Sequence, residues 1–202
     1  MKKHFTKILC ISLLVNFLLK GEELKALVPY YYLPTIKNIE KESLSIGKNA
    51  YQLLYFGQIK QSLNLAKLAV KINKLDEKLW LILSESQVAN KLYEEALISL
   101  KKAEKINPNL SEIYFSKSNI FIKQLKLKDA KIALKTGLQI TPENHNAIFQ
   151  LGNIFLMEKN YLEAIKLFDK SIKIKPDFWQ AINNQGLAYF EKNNINLSIK
   201  FF

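Results

Sequence analysis

The sequence contains no arginine. All 30 of its basic residues are lysines, set against 18 acidic ones for a net charge of +12. Arginine is the side chain that grips phosphate and carboxylate with a planar two-pronged fork, so a lysine-only surface offers diffuse positive potential with little directional recognition. Most of these lysines read as solvating outer helix faces, and nucleic acid is not expected as a partner despite the charge. Cysteine is confined to Cys10, and histidine to His4 and His145. A single thiol near the N-terminus gives no disulfide framework, and two histidines are too few for a histidine-based metal or acid–base site. His145 reads as a surface residue at a loop. With six glycines and five prolines, the chain shows no Gly-rich phosphate loop, no H-E-x-x-H and no G-x-S-x-G. Glu94, Glu95, Glu163 and Asp169 read as solvated carboxylates on helix faces. The expectation is a protein without catalytic residues, metal or cofactor.

What is abundant is periodic apolar residue. Hydrophobic residues make up 49% of the chain, ample for a continuous core and well above the range of disordered chains. The clearest stretch is Ala147–Pro176. There Ile148, Leu151, Ile154 and Phe155 recur at the three- and four-residue steps that line up one helical face. Glu158-Lys159-Asn160 interrupts the stripe, and Tyr161, Ala164, Ile165, Phe168, Ile172 and Ile174 renew it until Pro176, which cannot continue the backbone ladder. Two short amphipathic helices joined by a turn bury only one side of themselves and need a neighbour of the same kind.

That neighbour appears when the chain is slid against itself by 34 residues. Pro108, Pro142 and Pro176 fall in register, as do Ile72, Ile106, Ile140 and Ile174. One small-residue column holds Ser62, Ala96, Ala130, Ala164 and Ser198, and a second holds Ala69, Ala103, Gly137 and Ser171. A larger knob is Ala66, Leu100, Leu134, Phe168 and Phe202. In the first helix the close-contact column is Ala50, Ser84, Ser118, Gly152 and Gly186.

These columns resemble the tetratricopeptide repeat (TPR) family, with its pattern W-x2-L-G-x2-Y, then A-x3-F, then P. The fullest match is Ile148, Leu151, Gly152, Phe155, Ala164, Phe168 and Pro176. Glu77–Leu110 keeps Trp80, Leu83, Ala96 and Pro108 but has Ser84 and Gln87 for Gly and Tyr. Ser111–Asn144 keeps Tyr114, Phe121, Ala130 and Pro142 but has Lys117 and Ser118. A degenerate first unit has Lys74 where Pro is expected. The resemblance implies an all-α solenoid, a right-handed superhelix of helix-turn-helix units over residues 43–76, 77–110, 111–144, 145–178 and an incomplete 179–202.

Residues 1–26 read as a signal peptide. Lys2, Lys3 and Lys7 precede the apolar run Ile8–Leu19, and a small residue, Ala26 or Gly21, offers a cleavage point. An uncleaved anchoring segment is the alternative. Export to a periplasm or thylakoid lumen of a bacterium follows from the first reading. Residues 27–42 form a strap and the start of a capping helix. Pro29 and Pro34 hold Leu27–Thr35 extended, and its three tyrosines either cover the edge of the first repeat or dock on a partner. The last repeat stops in its second helix, as expected of a truncated array or of an end buried in a partner.

By the resemblance, the first helix of each unit lines an inner groove that takes an extended peptide or a partner helix. The groove residues so implied are Leu81 and Glu85, Phe115 and Asn119, Phe149 and Asn153, then Asn183, Asn184 and Phe190, with Val88, Ile122 and Leu156 beside them. Carboxamides both donate and accept, so Asn119, Asn153 and Asn184 suit a ligand backbone, and the phenylalanines suit apolar ligand side chains. Phe115 and Phe149 stand where one subclass of the family carries lysines that clamp a terminal carboxylate, which disfavours that ligand. The implied function is a non-catalytic scaffold for a protein or peptide, as in assembly of a membrane or photosynthetic complex. Two alternatives remain: the recognition module of a longer enzyme such as a glycosyltransferase, and a basic protein associating peripherally with anionic lipid or cell wall. Binding in the last case would collapse at moderate salt.

Overall fold

The computed structural model describes residues 36–192, with every side chain except those at 36, 37 and 39. The signal segment, the tyrosine strap and the second half of the last repeat, with Ser198 and Phe202, lie outside the described residues. Among the described residues there are nine helices and no strand: α1 Ile36–Tyr55, α2 Ile59–Ile72, α3 Glu77–Ala89, α4 Tyr93–Ile106, α5 Ser111–Lys123, α6 Leu127–Ile140, α7 His145–Met157, α8 Tyr161–Ile174 and α9 Trp179–Glu191. Odd-numbered helices open each repeat and even-numbered ones close it. Each packs on its successor, and the opening helices also touch across repeats, α1 with α3, α3 with α5 and α7 with α9. The 20-residue α1 exceeds the 13 or 14 residues of the others because it starts at Ile36, ahead of the first repeat at Ser43.

The turn inside each of the first four repeats is built the same way from dissimilar residues. Gly57, Lys91, Leu125 and Lys159, each one period apart, take the left-handed conformation at φ 74°, 61°, 58° and 59°. At each, the amide of the following residue reaches back to the opening helix. Gln58 N donates to Leu53 O at 2.8 Å, Leu92 N to Gln87 O at 2.9 Å, Lys126 N to Phe121 O at 2.8 Å and Asn160 N to Phe155 O at 2.8 Å. This is the Schellman ending, which satisfies the last carbonyls of a helix and normally favours glycine. Only the first repeat supplies glycine. The other three accept the side-chain penalty because the hydrogen bonds and the packing that follows hold the turn closed.

Packing explains the conserved sizes within each column. Ala96, Ala130 and Ala164 are fully buried, as are Ser62 and the knobs Ala66, Leu100, Leu134 and Phe168. In the fourth repeat the largest knob, Phe168, meets the smallest member of the close-contact column, Gly152. A Cβ on Gly152 would stand 2.6 Å from Cε1 and 2.9 Å from Cδ1 of Phe168, so the ring lies directly on the glycine backbone. Interiors at crystal-like density permit only such volume-conserving exchanges.

Repeats are also tied to one another by polar contacts at equivalent places. Trp80 Nε1 donates to Lys74 O at 2.9 Å, and Tyr114 Oη donates to Pro108 O at 2.9 Å. In both, an aromatic residue pins the loop entering its repeat. The residue after each opening helix reaches back to the previous repeat. Asn90 Nδ2 donates to Ile59 O at 3.3 Å, Gln124 Nε2 to Glu94 Oε1 at 3.0 Å, and Lys131 Nζ donates to Glu158 Oε2 at 2.7 Å. Glu163 and Asp169 pair with Lys166 and Lys173 on α8, each at 2.7 Å and well exposed. His145 is not in a loop. It opens α7, its ring meets Phe178 edge-on at 5.0 Å, and its carbonyl accepts from Ser171 Oγ at 2.9 Å.

Candidate functional site

A hollow of about 500 Å³ opens between α1, α3 and α5, the opening helices of the first three repeats. Tyr51, Leu54 and Tyr55 come from α1, Ser84, Glu85, Val88 and Ala89 from α3, and Ser116, Asn119 and Lys123 from α5. Lys91, in the left-handed turn after α3, and Tyr93, at the start of α4, complete one rim. The wall is mixed. Apolar surface from Leu54 and Val88 sits beside three phenolic rings, a carboxamide, a carboxylate and two ammonium groups.

Glu85 is the unusual member. It is half-buried, and burial raises its carboxyl above the ordinary value of 4.5. Among the described residues it makes no hydrogen bond or ion pair, and Lys91 and Lys123 form none with it. Glu85 shares its register with Tyr51, Asn119 and Asn153, so a carboxylate is not what the fold requires at this place. Taking an ion out of water without a partner costs stability.

The expected groove residues divide on this geometry. Glu85 and Asn119 line the hollow, with Asn119 exposed. Leu81 is half-buried against the core of the first three repeats and is not part of the wall. Phe115 is half-buried with its ring over Gly137 of α6, in the same repeat. Phe149 is half-buried too, 5.8 Å from the Phe168 ring and 5.0 Å from the Phe178 ring, centroid to centroid. Both phenylalanines therefore spend part of their apolar surface on the fold. Asn184 Nδ2 donates to Asn153 Oδ1 at 2.7 Å, so this pair links the fourth and fifth repeats with one bond of its own. Asn183 and Phe190 are exposed on α9, away from the hollow.

The contribution of α1 is absent from the sequence-based site. Tyr51 and Leu54 sit one period before Glu85 and Val88, so sliding the register back through the degenerate first repeat would have found them. Lys91 and Tyr93 belong to a turn and a closing helix and carry no such signal. A second cleft of about 360 Å³ lies apart from the hollow, lined by Lys74, Trp80, Lys102, Lys105 and Ile106, with Lys102 Nζ 4.4 Å from the centroid of the Trp80 ring.

Among the described residues no group of three or more His, Cys, Asp or Glu side chains is placed to hold a metal ion, and no helix is long and apolar enough to cross a membrane. A profile of the tetratricopeptide repeat family matches residues 77–110 and 145–178. The described residues fold as a TPR-like helical solenoid, with two repeats matched by the family profile. No curated protein matches it in sequence. Among solved structures, MamA from Desulfovibrio magneticus RS-1 is similar with a TM-score of 0.69, over 82% of this chain and 92% of that one at 18% identity. PilF of Pseudomonas aeruginosa is similar with a TM-score of 0.75, over 81% of this chain and 74% of that one at 14% identity. YrrB, described as a TPR protein with an unusual peptide-binding site, is similar with a TM-score of 0.60 over 82% and 84% at 19% identity. At these identities the likeness establishes the solenoid fold. Tetratricopeptide repeats are, as a class, protein-interaction modules without catalytic chemistry of their own.

Proposed function

We propose that this array is a non-catalytic scaffold that holds an extended segment of a partner protein across its opening helices, with the hollow around Glu85 and Asn119 as the principal seat. The observation that carries this reading is the hollow itself, a concave space of about 500 Å³ whose lining mixes apolar, aromatic and hydrogen-bonding groups. That is the composition of a recognition cleft. The stacking that shapes it is complete before any ligand arrives, so docking orders little of the scaffold's own backbone, and the loss of freedom falls on the ligand. The peptide site of the similar protein YrrB is consistent with this use of the fold. A narrower role, assembly of a membrane or photosynthetic complex by an exported protein, rests on the signal-like residues 1–26 and on the family. A fusion of that segment to a reporter that is active only outside the cytoplasm tests the export step.

The scaffold reading is tested by partner capture with two variants. Asn119→Trp fills the hollow from an exposed position, and Ile132→Arg alters an exposed position on α6 outside it. The expected result is that the wild type and Ile132→Arg retain the same partner and Asn119→Trp loses it, with all three melting alike. Retention by Asn119→Trp would place the binding surface elsewhere on the array.

A further inference from the structure

We infer that the segment seated in this hollow presents a cationic side chain, lysine or arginine, to Glu85. The inference rests on the scaffold reading above and names the chemistry of its ligand. Glu85 is a half-buried carboxylate with no hydrogen bond or ion pair among the described residues. Its register neighbours are Tyr51, Asn119 and Asn153, side chains that occupy the same place without charge. Burial opposes its ionisation, and nothing inside the protein compensates. An incoming ammonium or guanidinium would do so, because a charge-assisted hydrogen bond gains most where water is excluded.

The surroundings favour the same ligand. The titratable groups around Glu85 are Tyr51 and Tyr55 from α1, Lys91 from the turn, Tyr93 from α4 and Lys123 from α5. Tyr51 and Tyr55 are exposed, and the faces of their phenolic rings attract a cation. The two lysines are exposed at the ends of α3 and α5. They set the limits of the cation-binding pocket, and they repel a ligand whose positive charge is spread along its length. The favoured ligand is therefore one basic residue flanked by apolar ones. A bound cation favours the ionised form of Glu85, so affinity falls as pH drops below the raised carboxyl value.

The test is a selection of random linear peptides displayed against the full chain, keeping those that Asn119→Trp no longer holds. These are expected to be enriched in a single lysine or arginine, and the enrichment should vanish when Glu85→Gln is the target. For one such peptide, replacing the lysine by norleucine should weaken binding by about tenfold to the wild type, the worth of one charge-assisted hydrogen bond, and by no more than about twofold to Glu85→Gln. Peptides enriched in acidic residues would overturn the inference and make Lys91 and Lys123 the readers. A lysine preference that survives Glu85→Gln, or no preference at all, would overturn it as well. In those cases the scaffold reading stands as long as Asn119→Trp still abolishes partner capture. If Asn119→Trp leaves capture intact, the scaffold reading fails first.

Discussion

Toward its N-terminal end the face of the opening helices keeps an open hollow around Glu85, whereas two repeats later the equivalent positions are absorbed by the fold. Tyr51, Glu85 and Asn119 share one register position and all line the hollow. The next residue in that register, Asn153, is hydrogen-bonded to Asn184 of the following repeat. One helical turn earlier on the same face, Phe149 packs on Phe168 and Phe178. A repeat position fixes where a side chain points, and the size of its neighbours decides whether anything is left for a ligand. In the fourth repeat the residues that best match the family pattern, Gly152 and Phe168, also draw the helices together around aromatic rings. In the first two repeats the junction is closed by small polar residues instead. Ser62 Oγ and Ser86 Oγ lie 2.8 Å apart, and Ser99 Oγ donates to Gln87 Oε1 at 2.7 Å.

The sharpest way to break this contrast is to truncate one aromatic residue from each half. Phe149→Ala removes a half-buried ring in contact with two others and should cost about 2 kcal/mol, below the range for a fully buried phenylalanine. Tyr55, 84% exposed at the rim of the hollow, should cost within about 0.5 kcal/mol on replacement by alanine. Denaturant unfolding of the two variants measures both values. Equal losses would mean that the two halves of the face are built alike and that Phe149 contributes no more to the fold than Tyr55 does.

A smaller effect probes the aromatic junction itself. Gly152→Ala gains about 1 kcal/mol of helix propensity but drives a methyl group into the Phe168 ring, an overpacking that costs about 1–3 kcal/mol. The net expectation is a modest loss of stability, about 1 kcal/mol. Adding Phe168→Leu gives the combination of a small residue and leucine that the third repeat carries in the same columns, Ser118 and Leu134, so the double variant should be more stable than the sum of the single changes predicts. Strict additivity in thermal melts would show that Gly152 and Phe168 are not matched to each other.

The helix order and nearly every buried column were legible in the sequence, because each depends on a step of three, four or 34 residues. Ala96, Ala130, Ala164 and Phe168 were placed by register alone and are fully buried. The left-handed turns were not legible. Lys91, Leu125 and Lys159 carry no mark of that conformation, which the hydrogen bonds around them impose. The site was half legible. Glu85 and Asn119 were found by position, but the roles of Phe115 and Phe149 depend on what lies across from them, Gly137 in one case and two further rings in the other. A ring can face a groove in register and still be held by its own repeat. That information resides in pairs of columns, and reading each column singly overlooks it.

The smallest expected effect concerns the charge that the hollow leaves uncompensated. Burial raises the Glu85 carboxyl above 4.5 in the folded chain, so the folded state holds this proton more tightly than the unfolded state does. Between the ordinary value and the raised one, stability therefore falls as pH rises, and above the raised value the deficit is constant. Glu85→Gln removes the ionisation while keeping the shape. It should melt slightly above the wild type at neutral pH, and the two should converge at acid pH, where Glu85 is protonated in both states. The open half of the face is thus expected to be the less stable half, with a carboxylate whose cost is recovered only when a cation arrives. A neutral-pH melting point for Glu85→Gln equal to or below that of the wild type would mean that the carboxylate is already compensated in the free protein, and the contrast between the two halves would lose its electrostatic part.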